Sequence, residues 1–126
     1  MELLILDGLY AVCRLDPGDE IPEWSVGSDF LSVVRSSDEL SIVCRQDLVP
    51  REIRCKRNLR LLRIAEKLDF GMVGILNRLL QPLEKAGVAV FVVSTYDTDY
   101  VMVASRKLKE AAAVLKTEGH RIKGKM

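Results

Sequence analysis

The sequence predicts an α+β protein of two lobes, each with the element order β-α-β-β-α-β. Two observations predict this class. Short β-branched or alternating apolar segments recur along the whole chain, whereas extended helical periodicity occurs only in the second half. The 126 residues are enough for one compact domain or for two small lobes.

The first half of the chain contains strands and hardly any helix. Residues 10–15 predict a strand that ends at the turn sequence Asp16-Pro17-Gly18. Pro22 predicts the first turn of a helix only about one turn long. The remaining predicted elements are strands at residues 30–35, 40–45 and 53–55 and a single helical turn at residues 46–50.

The second half carries the two helices. Its predicted elements are a strand at residues 59–64, a helix through Val73, Leu76, Leu80 and Leu83, strands at 88–94 and 100–104, a helix after Ser105 and a short strand at 120–122. Asp69 suits the N-cap of the first helix, and Gly87 suits its C′ position. Pro82 predicts a kink or a broken last turn.

The element order defines the expected domains. From residue 59 onward it is that of the ferredoxin-like arrangement, in which two helices cover one face of an antiparallel sheet. The first 58 residues repeat the order weakly. We therefore expect an N-terminal lobe at residues 1–58, with its helices much shortened, and a C-terminal lobe at residues 59–126.

Charge and composition exclude several classes of protein. The chain has 19 basic and 18 acidic residues, 48% hydrophobic residues and a formal net charge of +1. Disorder requires lower hydrophobicity, and a nearly neutral chain gains little from counterion release on nucleic acid. No apolar run approaches the roughly 20 residues that cross a bilayer, and no basic segment typical of a signal peptide is present. We expect a cytoplasmic protein.

The residues that usually carry catalysis or bind metals are few. Cys13, Cys44 and Cys55 are odd in number and widely spaced, which indicates buried strand residues rather than a disulfide framework or a metal site. One reactive thiol is the alternative. His120 is the single histidine, so neither a zinc site nor a nucleophile–base pair is expected. We predict no catalytic residues, no metal and no cofactor.

Four motifs resemble those of small bacterial proteins with tandem ACT domains. Two of them are LDFGMVGIL at residues 68–76 and VSTYDTDYV at residues 93–101, and the run Ser-Thr-Tyr-Asp-Thr-Asp is specific. The others, Pro22-Glu23-Trp24 and ELSIVC at residues 39–44, resemble the first lobe of the same proteins. The similarity covers nearly the whole chain and keeps the motifs in order.

The resemblance implies a function as well as a fold. It implies a pair of ACT domains that bind an amino acid at an interface between lobes or subunits, in a regulatory protein that is not an enzyme. The same ACT subfamily is similar to the domains of cytosolic arginine sensors. Some of these bacterial chains carry an aspartate kinase label, but this chain is too short for a kinase domain and lacks a glycine-rich phosphate loop.

Two segments are candidates for the ligand site. The first opens the long helix and comprises Asp69, Phe70, Gly71, Met72, Val73 and Gly74. Its backbone N–H groups suit a carboxylate, and its glycines permit close approach. The second follows a strand and comprises Ser94, Thr95, Tyr96, Asp97, Thr98 and Asp99. If that segment is extended, Asp97 and Asp99 point to one side and can hold an ammonium group.

The sequence leaves several alternatives open. The glycines also suit tight helix–sheet packing, and the acidic segment also suits an ordinary turn. Asp69 either caps the helix or contacts the ligand, and the site lies either within one chain or between chains. A homodimer is expected under either hypothesis, and a ligand-free module that serves only assembly is the alternative function. An RNA-binding module is a lesser one, because Phe91 is the sole aromatic residue of its strand. Trp24 is expected to anchor the core of the first lobe.

Overall fold

A computed structural model describes residues 1–66 and 74–126. Contacts divide the chain into two units: an inserted unit, Gly8–Leu59, and a split unit formed by Met1–Asp7 and Arg60–Met126. This division differs from the predicted boundary after residue 58. The first seven residues belong to the split unit because residues 2–5 form a strand that pairs with later parts of the chain.

The described residues form eight strands, three α-helices and two 3₁₀ turns. In chain order these are β1 (Glu2–Ile5), β2 (Tyr10–Leu15), α1 (Glu23–Val26), β3 (Ser32–Arg35), β4 (Leu40–Arg45), a 3₁₀ turn (Gln46–Leu48), β5 (Cys55–Ile64), α2 (Ile75–Lys85), β6 (Phe91–Ser94), β7 (Asp99–Ala104), a 3₁₀ turn (Ser105–Lys107), α3 (Leu108–Thr117) and β8 (Arg121–Lys123). None of the helices in these residues is long and apolar enough to cross a membrane.

The inserted unit is an antiparallel sheet almost without helices. Its strand order is β3-β4-β2-β5, in which β5 contributes residues 55–59. The core residues lie on one face of β2 and β4, except Val49, which follows the 3₁₀ turn, and Trp24 packs against them as predicted. The core consists of Ala11, Cys13, Leu40, Ile42, Cys44 and Val49. Both helices of the β-α-β-β-α-β order have shrunk to about one turn.

The split unit has the two full helices and a fifth strand. Its strand order is β6-β7-β5-β1-β8, in which β5 contributes residues 60–64. β1 lies between β5 and β8, antiparallel to β5 and parallel to β8. Leu3 and Ile5 on β1 are buried with Leu79 and Leu83 of α2 and Leu115 of α3. β1 therefore completes a core that the chain from residue 60 onward otherwise forms.

The ends of α2 follow from its glycines. The described helix begins at Ile75 with Gly74 at the N-cap, and Asp69, the residue that the sequence offered as its cap, lies outside the described residues. The φ of Gly74 is 79°, a left-handed conformation that ends helical geometry and that glycine adopts without strain. At the other end Gly87 has a φ of 73° and occupies C′ as predicted. The N–H of Val88 donates to the carbonyl of Leu83 across 2.9 Å, which completes a Schellman cap.

Pro82 lies inside α2 without ending it. The helix continues to Lys85, so the expected broken last turn does not occur. Pro82 has no N–H for the carbonyl of Arg78, four residues earlier. The imidazole of His120 lies close enough to the backbone of Arg78 for that backbone to influence its pKa.

The strand that links the two units was predicted as two strands. Instead of strands at 53–55 and 59–64, one strand runs through β5. The polar residues 56–58 interrupt the apolar pattern, and for that reason the sequence predicted two separate strands. A register shift in the β2–β5 ladder between Tyr10 and Val12, together with a φ of 61° at Asn58, lets the strand continue through it.

Candidate functional site

The second candidate segment forms a tight hairpin between β6 and β7. Ser94 and Asp99 are partners in the ladder. The N–H of Thr95 donates to the carbonyl of Thr98 across 2.8 Å, and its hydroxyl donates to the same carbonyl across 3.0 Å. The hydroxyl of Thr95 also accepts the N–H of Thr98 at 3.3 Å. Thr95 therefore fixes the turn, whereas the other polar side chains are not needed to form it.

Thr98 joins this hairpin to the end of β5. Its hydroxyl donates to the carbonyl oxygen of Ile64 across 2.9 Å, in a partly buried hydrogen bond. Ile64 is the last residue of β5, after which the chain leads to α2. The hairpin therefore lies, within one unit, at the edge where the chain leaves β5 for the helix. The sequence left open whether the two candidate segments share an edge.

The acidic side chains of the hairpin have no described counter-ion. Tyr96 is 100% exposed, Asp97 is exposed and Asp99 is half-buried. The ion pairs seen among the described residues involve Asp29, Asp47, Glu110 and Glu2, and not Asp97 or Asp99. Two carboxylates this close along the chain repel each other, so a cation beside them is favourable. Residues 96 and 97 form a bend, so the argument that extended backbone directs both carboxylates to one side does not apply.

The start of α2 is the described part of the first candidate segment. Gly74 provides no side chain to cap the helix, and no acidic residue lies in its first turn. A Cβ at Gly74 would meet no described atom within 4 Å. The left-handed φ therefore accounts for this glycine, rather than the tight packing that the sequence suggested. Among the described residues no side chain caps this end, and the helix dipole places partial positive charge on the first amides.

The rest of the first candidate segment lies outside the described residues. This applies to Asp69, Phe70, Gly71, Met72 and Val73. Their approach to the hairpin therefore stays a prediction. Among the described residues, the hairpin lines none of the larger cavities. A groove of about 650 Å³ instead runs along α2, between Asn77 and Glu84 on the helix and residues 87–90 beside it. The hairpin thus offers polar groups on an open surface.

The inserted unit contains a polar cluster that the sequence analysis missed. The hydroxyl of buried Tyr10 donates to both carboxylate oxygens of Asp29, at 3.1 and 3.2 Å. The guanidinium of Arg45 lies 5.7 Å from the centre of the Tyr10 ring and 3.4 Å from Asp29. Burial, together with the adjacent carboxylate, raises the pKa of Tyr10 to about 12. The raised pKa keeps the Tyr10 phenol protonated near neutral pH, so its bond to Asp29 is a structural contact.

His120 has a structural position as well. Its Nδ1 lies 3.2 Å from the amino nitrogen of Met1. Burial and that positive charge lower the pKa of His120, and the backbone of Arg78 opposes them. Over residues 1–66 and 74–126, no group of three or more His, Cys, Asp or Glu side chains could hold a metal ion.

Two small α+β units with the same element order define a tandem-domain protein of the ferredoxin-like class. The family model of the ACT domain matches residues 54–117, and a second model, of an N-terminal domain, matches residues 8–52. The chain belongs to the ACT-domain family. The tandem ACT architecture and the α+β fold class predicted from the sequence are confirmed. No curated protein sequence matches the chain.

Solved structures share this fold. A protein from Agobacterium tumefaciens superposes with a TM-score of 0.93 and 35% identity, over 99% of this chain and 93% of that one. A Vibrio cholerae protein of unknown function, described as a possible transport protein, has a TM-score of 0.76 and 16% identity, over 93% of this chain and 88% of that one. The regulatory subunit of aspartate kinase from Thermus flavus has a TM-score of 0.65 and 7% identity, over 92% and 95%. At such identities the last two show the fold alone.

Proposed function

We propose that this protein is a non-catalytic regulatory sensor that binds a free amino acid at the hairpin of residues 94–99 and the adjoining start of α2. The observation that supports it most is the hydrogen bond from Thr98 to Ile64, because it brings the acidic hairpin to the edge from which the chain enters α2. Membership of the ACT-domain family supports a regulatory, ligand-binding role in general.

The two sides of the proposed site match the two charges of a zwitterion. The first amides of α2, which no described side chain caps, suit the carboxylate, because helix N-terminal donors and the helix dipole favour an anion. Asp97 and Asp99 suit the ammonium group or a cationic side chain. A basic or small polar amino acid therefore fits better than an acidic one, which would add a third carboxylate.

The open surface of the hairpin suggests how the site is completed. An amino acid that touches only an exposed hairpin keeps most of its water, and exposed ion pairs contribute only about 0–1 kcal/mol each. We propose that an ACT lobe of a second copy of the chain supplies the other wall, so that binding and dimerisation are linked. The ligand then shifts the association equilibrium only as far as its affinity for the two states differs.

Calorimetric titration with each of the twenty amino acids tests the proposal. We expect heat of binding for at least one of them, and loss of that heat in Asp97→Asn and Asp99→Asn. Asp38→Asn is the matched control, because Asp38 is an exposed acid in the hairpin between β3 and β4 of the other unit. The proposal fails if no amino acid binds at millimolar concentration, or if the control variant loses binding equally.

Exposed apolar side chains on edge strands favour a second candidate, a ligand-free assembly module. Among the described strands, β3 pairs only with β4, and β6 only with β7. Val34 on β3 is 59% exposed and Phe91 on β6 is 38% exposed. Unpaired edges of this kind join copies of a chain. Sedimentation separates the candidates: a tight homodimer whose association no amino acid alters favours assembly, and ligand-dependent association favours the sensor.

A further inference from the structure

Three cysteines that are far apart in the sequence meet on three adjacent strands of the inserted unit. Cys13 lies on β2, which is flanked by β4 with Cys44 and by β5 with Cys55. Cys13 and Cys44 belong to one buried cluster, and Cys55 packs against it. Cys13 is 1% exposed, Cys44 is fully buried and Cys55 is partly exposed. All three cysteines are free thiols, so none of them is already oxidised to a disulfide.

The ladder between β2 and β5 gives Cys13 and Cys55 the geometry of a cross-strand pair. The two residues are direct partners in the register. The next N–H along β2, that of Arg14, donates to the carbonyl of Arg54 across 2.9 Å. Because that hydrogen bond joins the flanking residues, Cys13 and Cys55 form a non-hydrogen-bonded pair. The Cα atoms of such pairs are about 4.5 Å apart, within the roughly 4.4–6.8 Å that a disulfide spans.

Cys44 does not have the same geometry. It is the ladder partner of Ala11, whereas Cys13 is the partner of Ile42. Cys13 and Cys44 are therefore diagonal neighbours, whose Cα atoms lie about 7–8 Å apart. A disulfide at that separation would require the backbone to move. The register therefore selects Cys55, and not Cys44, as the partner of Cys13.

Cys55 is the thiol that a reagent reaches first. It is the partly exposed member of the cluster, and burial raises its pKa. The positive charge of Arg57 lowers the pKa of both Cys55 and Cys13, and so opposes the effect of burial. The guanidinium of Arg57 is held by a 3.0 Å hydrogen bond to the carbonyl of Pro50. Because the net effect raises the pKa of Cys55, we expect its exchange to be faster at alkaline than at neutral pH.

We propose that Cys13 and Cys55 form a redox-active pair whose substrate is a low-molecular-weight disulfide. The thiolate of Cys55 attacks one sulfur of the reagent, forming a mixed disulfide and releasing one small thiolate. Cys13 then attacks the sulfur of Cys55, forming the Cys13–Cys55 disulfide and releasing the second small thiolate. The protons from the two cysteines end on the two released thiols, so the protein is oxidised by two electrons and the reagent is reduced by two.

The exchange is expected to be reversible. The Cα separation of a non-hydrogen-bonded pair lies at the short end of the disulfide range, where the bond is more easily reduced. Cys44 takes no part in the exchange, because the register makes it only a diagonal neighbour of Cys13. The described residues contain no set of side chains that could hold a metal ion, which favours exchange over metal binding for this cluster.

Mass spectrometry of the folded chain after exposure to oxidised glutathione tests the proposal. We expect a product lighter than the reduced chain by two hydrogen atoms, with residues 13 and 55 in one crosslinked peptide, and return to the starting mass with dithiothreitol. The control variant Cys44→Ala is expected to form the same crosslink. Cys13→Ser is expected to retain glutathione on Cys55, because the resolving thiol is missing.

Differential alkylation of the wild-type chain provides the same information without any variant. The proposal predicts that oxidation protects Cys13 and Cys55 together and leaves Cys44 to be alkylated after unfolding. It is overturned if the folded chain gives a crosslink to Cys44, carries only a stable glutathione adduct, or resists oxidation under conditions that oxidise the urea-unfolded chain.

Discussion

Thr98 and Ile64 are joined by a hydrogen bond of 2.9 Å between a side-chain hydroxyl and a backbone carbonyl. The bond connects the tip of one hairpin to the end of the strand that precedes α2. It fixes the edge of the split unit on which Asp97 and Asp99 are presented. The proposed amino-acid site depends on this relationship, which adds a side-chain contact to the pairing of β7 with β5.

Thr98→Val tests the contribution of that bond to stability. Valine has nearly the same shape but no hydroxyl, so the partly buried carbonyl of Ile64 loses its donor. We expect the free energy of unfolding to fall by about 1 kcal/mol, measured by denaturant unfolding. Thr117→Val is the matched control, because its hydroxyl donates to the carbonyl of Ala113 at an exposed position. Equal losses in the two variants would contradict a special role for Thr98.

Gly74→Ala tests the explanation given for the start of α2. Alanine resists the left-handed φ of 79° there, and we expect a loss of about 1–2 kcal/mol in the free energy of unfolding. Gly27→Ala is the control, because Gly27 has a φ of −80° and equally open surroundings. That variant is expected to be neutral or slightly stabilising. If both variants are equally stable, the left-handed φ is not the reason for glycine at position 74.

The lowered pKa of His120 makes stability depend on pH. Unfolding returns the imidazole to an ordinary pKa near 6.5, so the unfolded chain binds a proton more readily. Stability from this group is therefore complete above that pH and is lost as the pH falls through the lowered folded pKa. Because His120 is the single histidine, its NMR resonance can be titrated directly. A titration midpoint above 6.5 would contradict the burial argument, and His120→Gln should weaken the pH dependence of unfolding in this range.

Tyr10→Phe tests the polar cluster of the inserted unit. The change removes the hydroxyl that donates to Asp29 but keeps the buried ring beneath Arg45. We expect a loss of about 1 kcal/mol in thermal or denaturant unfolding, because the donor bonds a charged acceptor that stays in place. Tyr96→Phe, at a fully exposed side chain, is expected to change stability very little. A neutral result for Tyr10→Phe would mean that solvent replaces the lost donor.

Local patterns predicted the elements whose partners are close in the sequence. The β-branched alternation of residues 40–45 gives a strand with those bounds, and Leu108, Ala111, Ala112 and Leu115 form the buried face of α3 as predicted. The strand β1 was not predicted. It has only four residues, and its partners β5 and β8 lie about 60 and 120 residues away, so no neighbouring turn or hairpin marks it.

The candidate site was predictable in residue type more than in geometry. The acidic hairpin is visible as a run of polar residues between two strands. The hydrogen bond that attaches the hairpin to Ile64 could not be predicted, because a contact between residues 34 positions apart produces no periodic pattern in the sequence. The cluster of three cysteines could not be predicted for the same reason. Strand register, and not spacing along the chain, makes Cys13 and Cys55 direct partners.

Calorimetric titration of the wild-type chain and Asp97→Asn with free amino acids tests the central claim most directly. The account predicts saturable binding of at least one basic or small polar amino acid to the wild type and at least a tenfold loss of affinity in the variant, which corresponds to about 1.4 kcal/mol. Binding that is unchanged in Asp97→Asn, or the absence of any binding at millimolar concentration to a correctly folded chain, would contradict it.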